Sequence, residues 1–216
     1  MSFAETGRTD SRLAASPRLF RNSVLDKLSR VHPSLPFLIY LPCVGFLLWK
    51  ATRAFPVLTV MVTFALGYVL WTVLEYFGHR FIFHVRPTSR LGRRIQFLIH
   101  GVHHDHPDDP LRLVMPPIMS LPIMTAAFGV LRLAAGPQFA LPVTAGFVAG
   151  YLLYDGLHFY VHNRQPENPV GLYLRRRHMH HHFRDDSSWF GVSAPWWDAI
   201  MATRPLRKAG TKRSCS

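Results

Sequence analysis

Acidic residues are scarce in this chain, with twelve Asp and Glu against twenty-five Lys and Arg, and charged residues of both signs make up only 17% of its 216 positions. Soluble domains carry roughly 25% charge, so this shortage, together with 49% hydrophobic residues, excludes a disordered or fibrous chain. Only two cysteines are present, Cys43 and Cys215, too few for a disulfide framework or a Cys-rich zinc site. No Gly-x-Gly-x-x-Gly, P-loop or His-Glu-x-x-His motif occurs, so nicotinamide binding, phosphoryl transfer and zincin-type hydrolysis have no support. No internal repeat stands out, and the length leaves room for one catalytic unit.

Uncharged apolar sequence is plentiful. Runs at 35–49, 54–74, 113–131 and 133–154 predict four membrane crossings, the last three near the ~20 residues that a bilayer requires. The first run is short and carries Pro36 and Pro42. Gly136-Pro137 is a turn signal that folds the last two runs into a helical hairpin, and Gly146 and Gly150 form a small-xxx-small pair suited to close helix packing. With these crossings, only Lys50, Arg53 and Arg132 fall on one side of the membrane and the other twenty-two basic residues on the opposite side. That is the positive-inside pattern with both termini cytoplasmic, and it accounts for the net charge of +13 without a nucleic-acid partner. The expected fold is an all-α integral membrane bundle of about four transmembrane helices carrying a cytoplasmic helical cap. Its expected divisions are a cytoplasmic segment 1–34, with no apolar run of the kind a cleaved signal needs, a membrane domain 35–204 and a basic tail 205–216.

Histidine is the other abundance. Ten of the thirteen fall into four groups on the predicted cytoplasmic side: His79 and His84; His100, His103 and His104; His158 and His162; His178, His181 and His182. Offsets of three and four share one face of a helix, so such rings can converge on a point. His79 and His84 are five apart and diverge by about 140° on a straight helix, so they need a helix end or two separate ions. Neutral imidazole suits iron, zinc, copper or nickel, and ten rings exceed what one ion accepts, which makes two ions the natural count.

The order His-x4-His, His-x2-His-His, His-x3-His, His-x2-His-His resembles the fatty acid hydroxylase superfamily of membrane di-metal enzymes, from about Leu74 to Thr203. Arg112-Leu-Val-Met-Pro-Pro117, Gly150-Tyr-Leu-Leu-Tyr-Asp155 and Phe190-Gly-Val-Ser-Ala-Pro-Trp-Trp-Asp198 are similar to the fatty acid 2-hydroxylase branch in particular. The resemblance implies that all ten histidines ligate two metal ions, functionally iron, although relatives can be isolated with zinc. It implies oxygen-dependent hydroxylation of a lipid acyl chain at carbon 2. Relatives often carry a fused haem domain as electron donor, and nothing in this sequence matches one, so a separate ferredoxin or small cytochrome is expected on the basic face.

Glu75 and Asp155 lie four and three residues before histidines and are the candidates to orient rings by accepting their free N–H. Arg112, at the junction of cap and membrane, is a candidate holder of a lipid carboxylate or headgroup. Two rival readings stay open: a related oxygenase acting on a sterol, carotenoid, alkyl ether or acylated amino-acid lipid, and a non-oxidative membrane metal-binding protein. Without a fused donor domain or a retention signal, a bacterial inner membrane is expected rather than endoplasmic reticulum.

Overall fold

A computed structural model describes residues 16–205, so most of the basic tail lies outside the described residues. Helix α1 spans Ser23–Leu28, α2 Leu35–Thr52 and α3 Val57–Gly78. A π-helical turn, His79–Phe83, continues α3. Helix α4 (Arg90–Gln96) runs through a second π turn, Phe97–Gly101, into α5 (Val102–Asp105). Helix α6 is Pro117–Asn163, α7 Pro169–Phe183 and α8 Trp196–Ile200; among the described residues there is no strand.

Among the described residues, three helices are long and apolar enough to cross a membrane, and the longest, at 47 residues, has more than twice the ~20 that one crossing needs. Within α6, Gly136 leaves helical geometry at φ 80° and ψ 164°, a conformation open to glycine because it has no Cβ. The chain reverses there. Tyr40 of α2 donates a hydrogen bond to Ser120 Oγ at 2.9 Å and packs its ring edge-on to Tyr151 at 5.4 Å. Ser120 and Tyr151 flank Gly136 at nearly equal distances along the chain, so the two halves lie antiparallel. The expected hairpin is therefore present, with its crossings displaced a few residues towards the C-terminus.

The bundle holds together where backbones touch. A Cβ on Gly67 of α3 would overlap the Val143 carbonyl, and one on Gly146 would overlap the Phe64 carbonyl, so each helix places a glycine against the other's backbone. Gly150 gives the same room to the Trp71 ring. Around this seam Tyr40, Trp71, Phe147, Tyr151 and Tyr154 form an aromatic core, with Trp71 at 5.3 Å from both Phe147 and Tyr151. The opposite faces are apolar too: Leu133 is 90% exposed, Leu58 72% and Leu38 69%, a surface that water does not tolerate and lipid does.

All remaining elements gather at one end of the bundle. The described part of the N-terminal segment is pinned across this cap. Ser16 donates through its N–H and hydroxyl to Asp109 at 3.1 and 2.6 Å, Leu19 N–H donates to Asp26 at 2.7 Å, and Val31 N–H donates to the Leu111 carbonyl at 2.9 Å.

Candidate metal centre

The π turn at the end of α3 answers the spacing problem set by His79 and His84. There His84 N–H bonds to the His79 carbonyl at 3.2 Å, an i to i+5 link that brings residues five apart onto the same side. The second π turn carries His100 and hands the chain to α5, which carries His103 and His104. The end of α6 places His158 and His162, and α7 places His178, His181 and His182.

These ten rings form two sets of five. His79, His84, His100, His104 and His181 each offer a nitrogen within 4.8 Å of the others, and His103, His158, His162, His178 and His182 do the same. The three-histidine groups do not converge on one point, as their spacing suggested. Each splits: the i, i+4 pair stays in one set and the middle ring crosses to the other. His103 leaves His100 and His104, and His181 leaves His178 and His182. The sets touch where His104 and His182 stack at 4.1 Å.

Within each set the Nε2 atoms face one another. His84 lies 2.9 Å from His181 and 3.3 Å from His79, and His104 lies 3.0 Å from His100. In the second set His158–His103 is 2.9 Å, His162–His178 2.8 Å and His182–His178 3.1 Å. Nitrogens bound at right angles to one ion at 2.0–2.1 Å stand about 3 Å apart, so the spacing fits a shared cation.

The protonation states argue the same way. A carbonyl can only accept, so His79 Nδ1–H donates to Phe190 O at 2.6 Å, His181 Nδ1–H to Ser188 O at 2.7 Å, and His158 Nδ1–H to Leu113 O at 2.9 Å. Each of these rings, when neutral, then presents a bare Nε2 lone pair to its set. Burial, reinforced by the neighbouring His181, pushes His84 down to about 4 and His104 to about 2. Burial also holds His100, His103, His178 and His182 well below the ordinary imidazole value, and His181 below it. Lone pairs without protons, packed at about 3 Å, repel unless a cation lies between them. The donor set is that of a metal site, and it fits two ions.

Neither carboxylate chosen from the sequence touches a ring. Glu75 accepts from Ser193 N–H at 2.7 Å and from the Ser193 hydroxyl, so it fastens the loop whose Phe190 carbonyl takes the His79 proton. Asp155 is buried at 1% exposure with neither oxygen in a hydrogen bond. Backbone carbonyls orient His79, His158 and His181 instead, and a carbonyl leaves no mark in a sequence. Arg112 is buried and gives hydrogen bonds to Ser16 Oγ, Ser29 O and Ser29 Oγ at 3.0, 2.9 and 2.8 Å, while its Nη2 makes none. Two groups that spacing did not single out also matter. Asp109 is 3% exposed and binds Ser16 and Arg30. Asp198, 0% exposed, anchors the 190–203 region.

A largely apolar cavity of about 300 Å³ reaches both sets, ending on His100, His103 and His158. Leu25 and Leu28 of the N-terminal segment line it together with Met115 and Met119, and Asp155 and Arg112 are polar groups in its wall. A second, more open hollow of about 310 Å³ meets His84 beside Arg86, Arg93 and Asp186.

The profile of the fatty acid hydroxylase family matches residues 64–203, the stretch that carries all ten histidines. This chain is a member of that family. Fatty acid hydroxylases are hydroxylating oxidoreductases, and the likeness extends to individual proteins. The chain is 36% identical over 202 residues to dihydroceramide fatty acyl 2-hydroxylase FAH2 of Arabidopsis thaliana, covering 92% of this chain and 84% of that one. It is 34% identical to human fatty acid 2-hydroxylase over 90% of this chain, and there it spans 58% of the longer protein. The solved hydroxylase domain of scs7p superposes with a TM-score of 0.81 at 31% identity, covering 88% of this chain and 72% of that one.

These relatives are plant, yeast and mammalian proteins, which overturns the expectation of a bacterial inner membrane. That expectation leaned on finding neither a stretch that matches a donor domain nor a retention signal. The Arabidopsis protein, 84% of which this chain covers, has little length to spare for a fused donor domain, so finding none is no sign of a bacterium.

Proposed function

We propose that this chain hydroxylates a lipid acyl chain at carbon 2, using dioxygen, two iron ions held by the two five-histidine sets, and electrons from a separate carrier. The observation that carries the reading is the apolar cavity ending on histidines of both sets. Overall, R–CH₂–CO–X, O₂, two electrons and two protons become R–CHOH–CO–X and water. A C–H bond beside a carbonyl has no polar handle strong enough for side-chain chemistry to insert oxygen, and the metal pair, when bound, supplies the activation of dioxygen.

The protein's own residues do the rest. Leu25, Leu28, Met115 and Met119 exclude water and let an apolar chain lie with one end at His103 and His158. Asp155 and Arg112, whose Nη2 makes no hydrogen bond and lies 3.9 Å from the Asp26 carboxylate, are buried polar groups in the wall of the same space, suited to the carbonyl and neighbouring polar atoms of an acyl lipid, and they fix which carbon reaches the histidines. Electrons enter on the other side. The hollow at His84 opens between Arg86 and Arg93, both exposed, and a ferredoxin or small cytochrome with an acidic face is drawn to that rim. The ten histidines are the ligands, the matched region and the pinned segment before it act as one catalytic domain, and zinc is an isolable substitute for the iron.

Relatives named for fatty acyl and ceramide substrates favour carbon 2 of an acyl lipid over a sterol or carotenoid. Mass spectrometry of lipids from cells expressing the chain tests this. A gain of one oxygen located at carbon 2, absent with His103→Ala, is expected. Oxygen at any other position, or none, contradicts it.

A further inference from the structure

The loop between α7 and α8 supplies backbone carbonyls to one metal set alone. Ser188 O and Phe190 O accept the Nδ1 protons of His181 and His79, both in the set with His84, His100 and His104. The other set takes its carbonyl from Leu113, at the head of the α6 hairpin.

This loop is held against its own preferences. Trp189, between the two carbonyls, has φ 62°, a left-handed conformation that strains a bulky side chain. Polar contacts from three sides keep it there. Asp198 accepts from Phe190 N–H at 2.8 Å, Gly191 N–H at 3.0 Å, Thr203 Oγ1 at 2.8 Å and Arg177 at 2.7 Å. Glu75, from α3, holds Ser193 through its N–H and hydroxyl. Arg177 lies 4.0 Å over the Trp189 ring. Gly191 completes the fit, since a Cβ there would overlap the Ala194 carbonyl. None of these side chains touches a histidine nitrogen.

We infer that Asp198 and Glu75 are positioning residues for the ion held by His79, His84, His100, His104 and His181, and that they set its affinity independently of the other ion. By fixing where the Ser188 and Phe190 carbonyls stand, they fix the tautomer and tilt of two of that ion's five rings. The inference rests on the two-ion reading above.

The test uses the full chain purified in detergent and loaded with Zn²⁺, and follows release of each equivalent into excess chelator. For Asp198→Asn, one equivalent is expected to leave at least about 10-fold faster while the other keeps its wild-type rate, in line with the 10–100-fold effects of groups that orient ligands. Ser193→Ala, which removes one hydrogen bond to Glu75 and keeps Asp198 and Arg177 paired, is expected to give a smaller change in the same equivalent. When the second set is disabled by His158→Ala and His162→Ala, Asp198→Asn accelerates the remaining ion. When the first set is disabled by His79→Ala and His84→Ala, it changes nothing. Equal acceleration of both equivalents shows that Asp198 only supports the fold and overturns the inference, as does no change in either. A wild-type chain that takes up fewer than two ions overturns the two-ion reading and this inference with it, an outcome distinct from the others.

Discussion

The membrane bundle and the cap cohere by opposite means. In the bundle, apolar side chains face outward as well as inward, and helices meet through glycine against backbone at Gly67–Val143 and Gly146–Phe64. In the cap, and where it meets the end of α3, buried polar groups do the joining: Asp109 with Ser16 and Arg30, Asp198 with Arg177, and Glu75 of α3 with Ser193. Lipid offers no hydrophobic drive between helices, so the bundle depends on close approach, whereas the cap must hold ten neutral imidazoles at fixed angles and does so with directional bonds. The two regions should therefore break differently.

The largest effect belongs to the seam. Gly146→Leu forces α3 and the second half of α6 apart, costing several kcal/mol and leaving no monodisperse protein in detergent by size-exclusion chromatography. A monodisperse Gly146→Leu chain with normal activity would sink the close-approach account. Next comes the metal set: His158→Ala should lower hydroxylation by about 100-fold or more while the bundle survives, read by lipid product and unchanged helicity.

A smaller loss is expected from the N-terminal strap. Asp109→Ala removes the acceptor of both Ser16 hydrogen bonds at a cost of about 2 kcal/mol, frees Leu25 and Leu28 from the cavity wall, and raises KM more than it lowers kcat. Faster proteolytic cleavage within residues 16–31 should accompany it; an unchanged digestion pattern contradicts the pinning.

The mildest perturbation is acid. In the unfolded chain histidines titrate near 6.5, whereas burial and His181 hold folded His84 at about 4, so between those values the unfolded state takes up protons that the folded state refuses. Stability of the metal-free chain therefore falls as pH drops through that window. Its thermal midpoint should be lower at pH 5 than at pH 7.5, and a flat profile contradicts this sign.

The same contrast explains what the amino-acid order discloses. Crossings follow from local hydropathy, and the Gly136-Pro137 reversal from the chemistry of two adjacent residues. The histidine groups were visible because ligands on one helix recur every three to five residues. The partition of His103 and His181 away from their neighbours was not, since it depends on how four segments face each other. Nor was the partner of Gly146, which is Phe64 on another helix. Glu75 stands out in the sequence for its position before His79, yet it binds Ser193, 118 residues away. Such long-range pairings carry no period, and the carbonyls that accept imidazole protons carry no side-chain signature.

The partition of ten imidazoles, five and five, around two ions is tested most directly by anomalous diffraction from the metal-loaded protein. Two peaks are expected, one among His79, His84, His100, His104 and His181 and one among His103, His158, His162, His178 and His182. A single peak, or a peak ligated by rings from both sets, contradicts it.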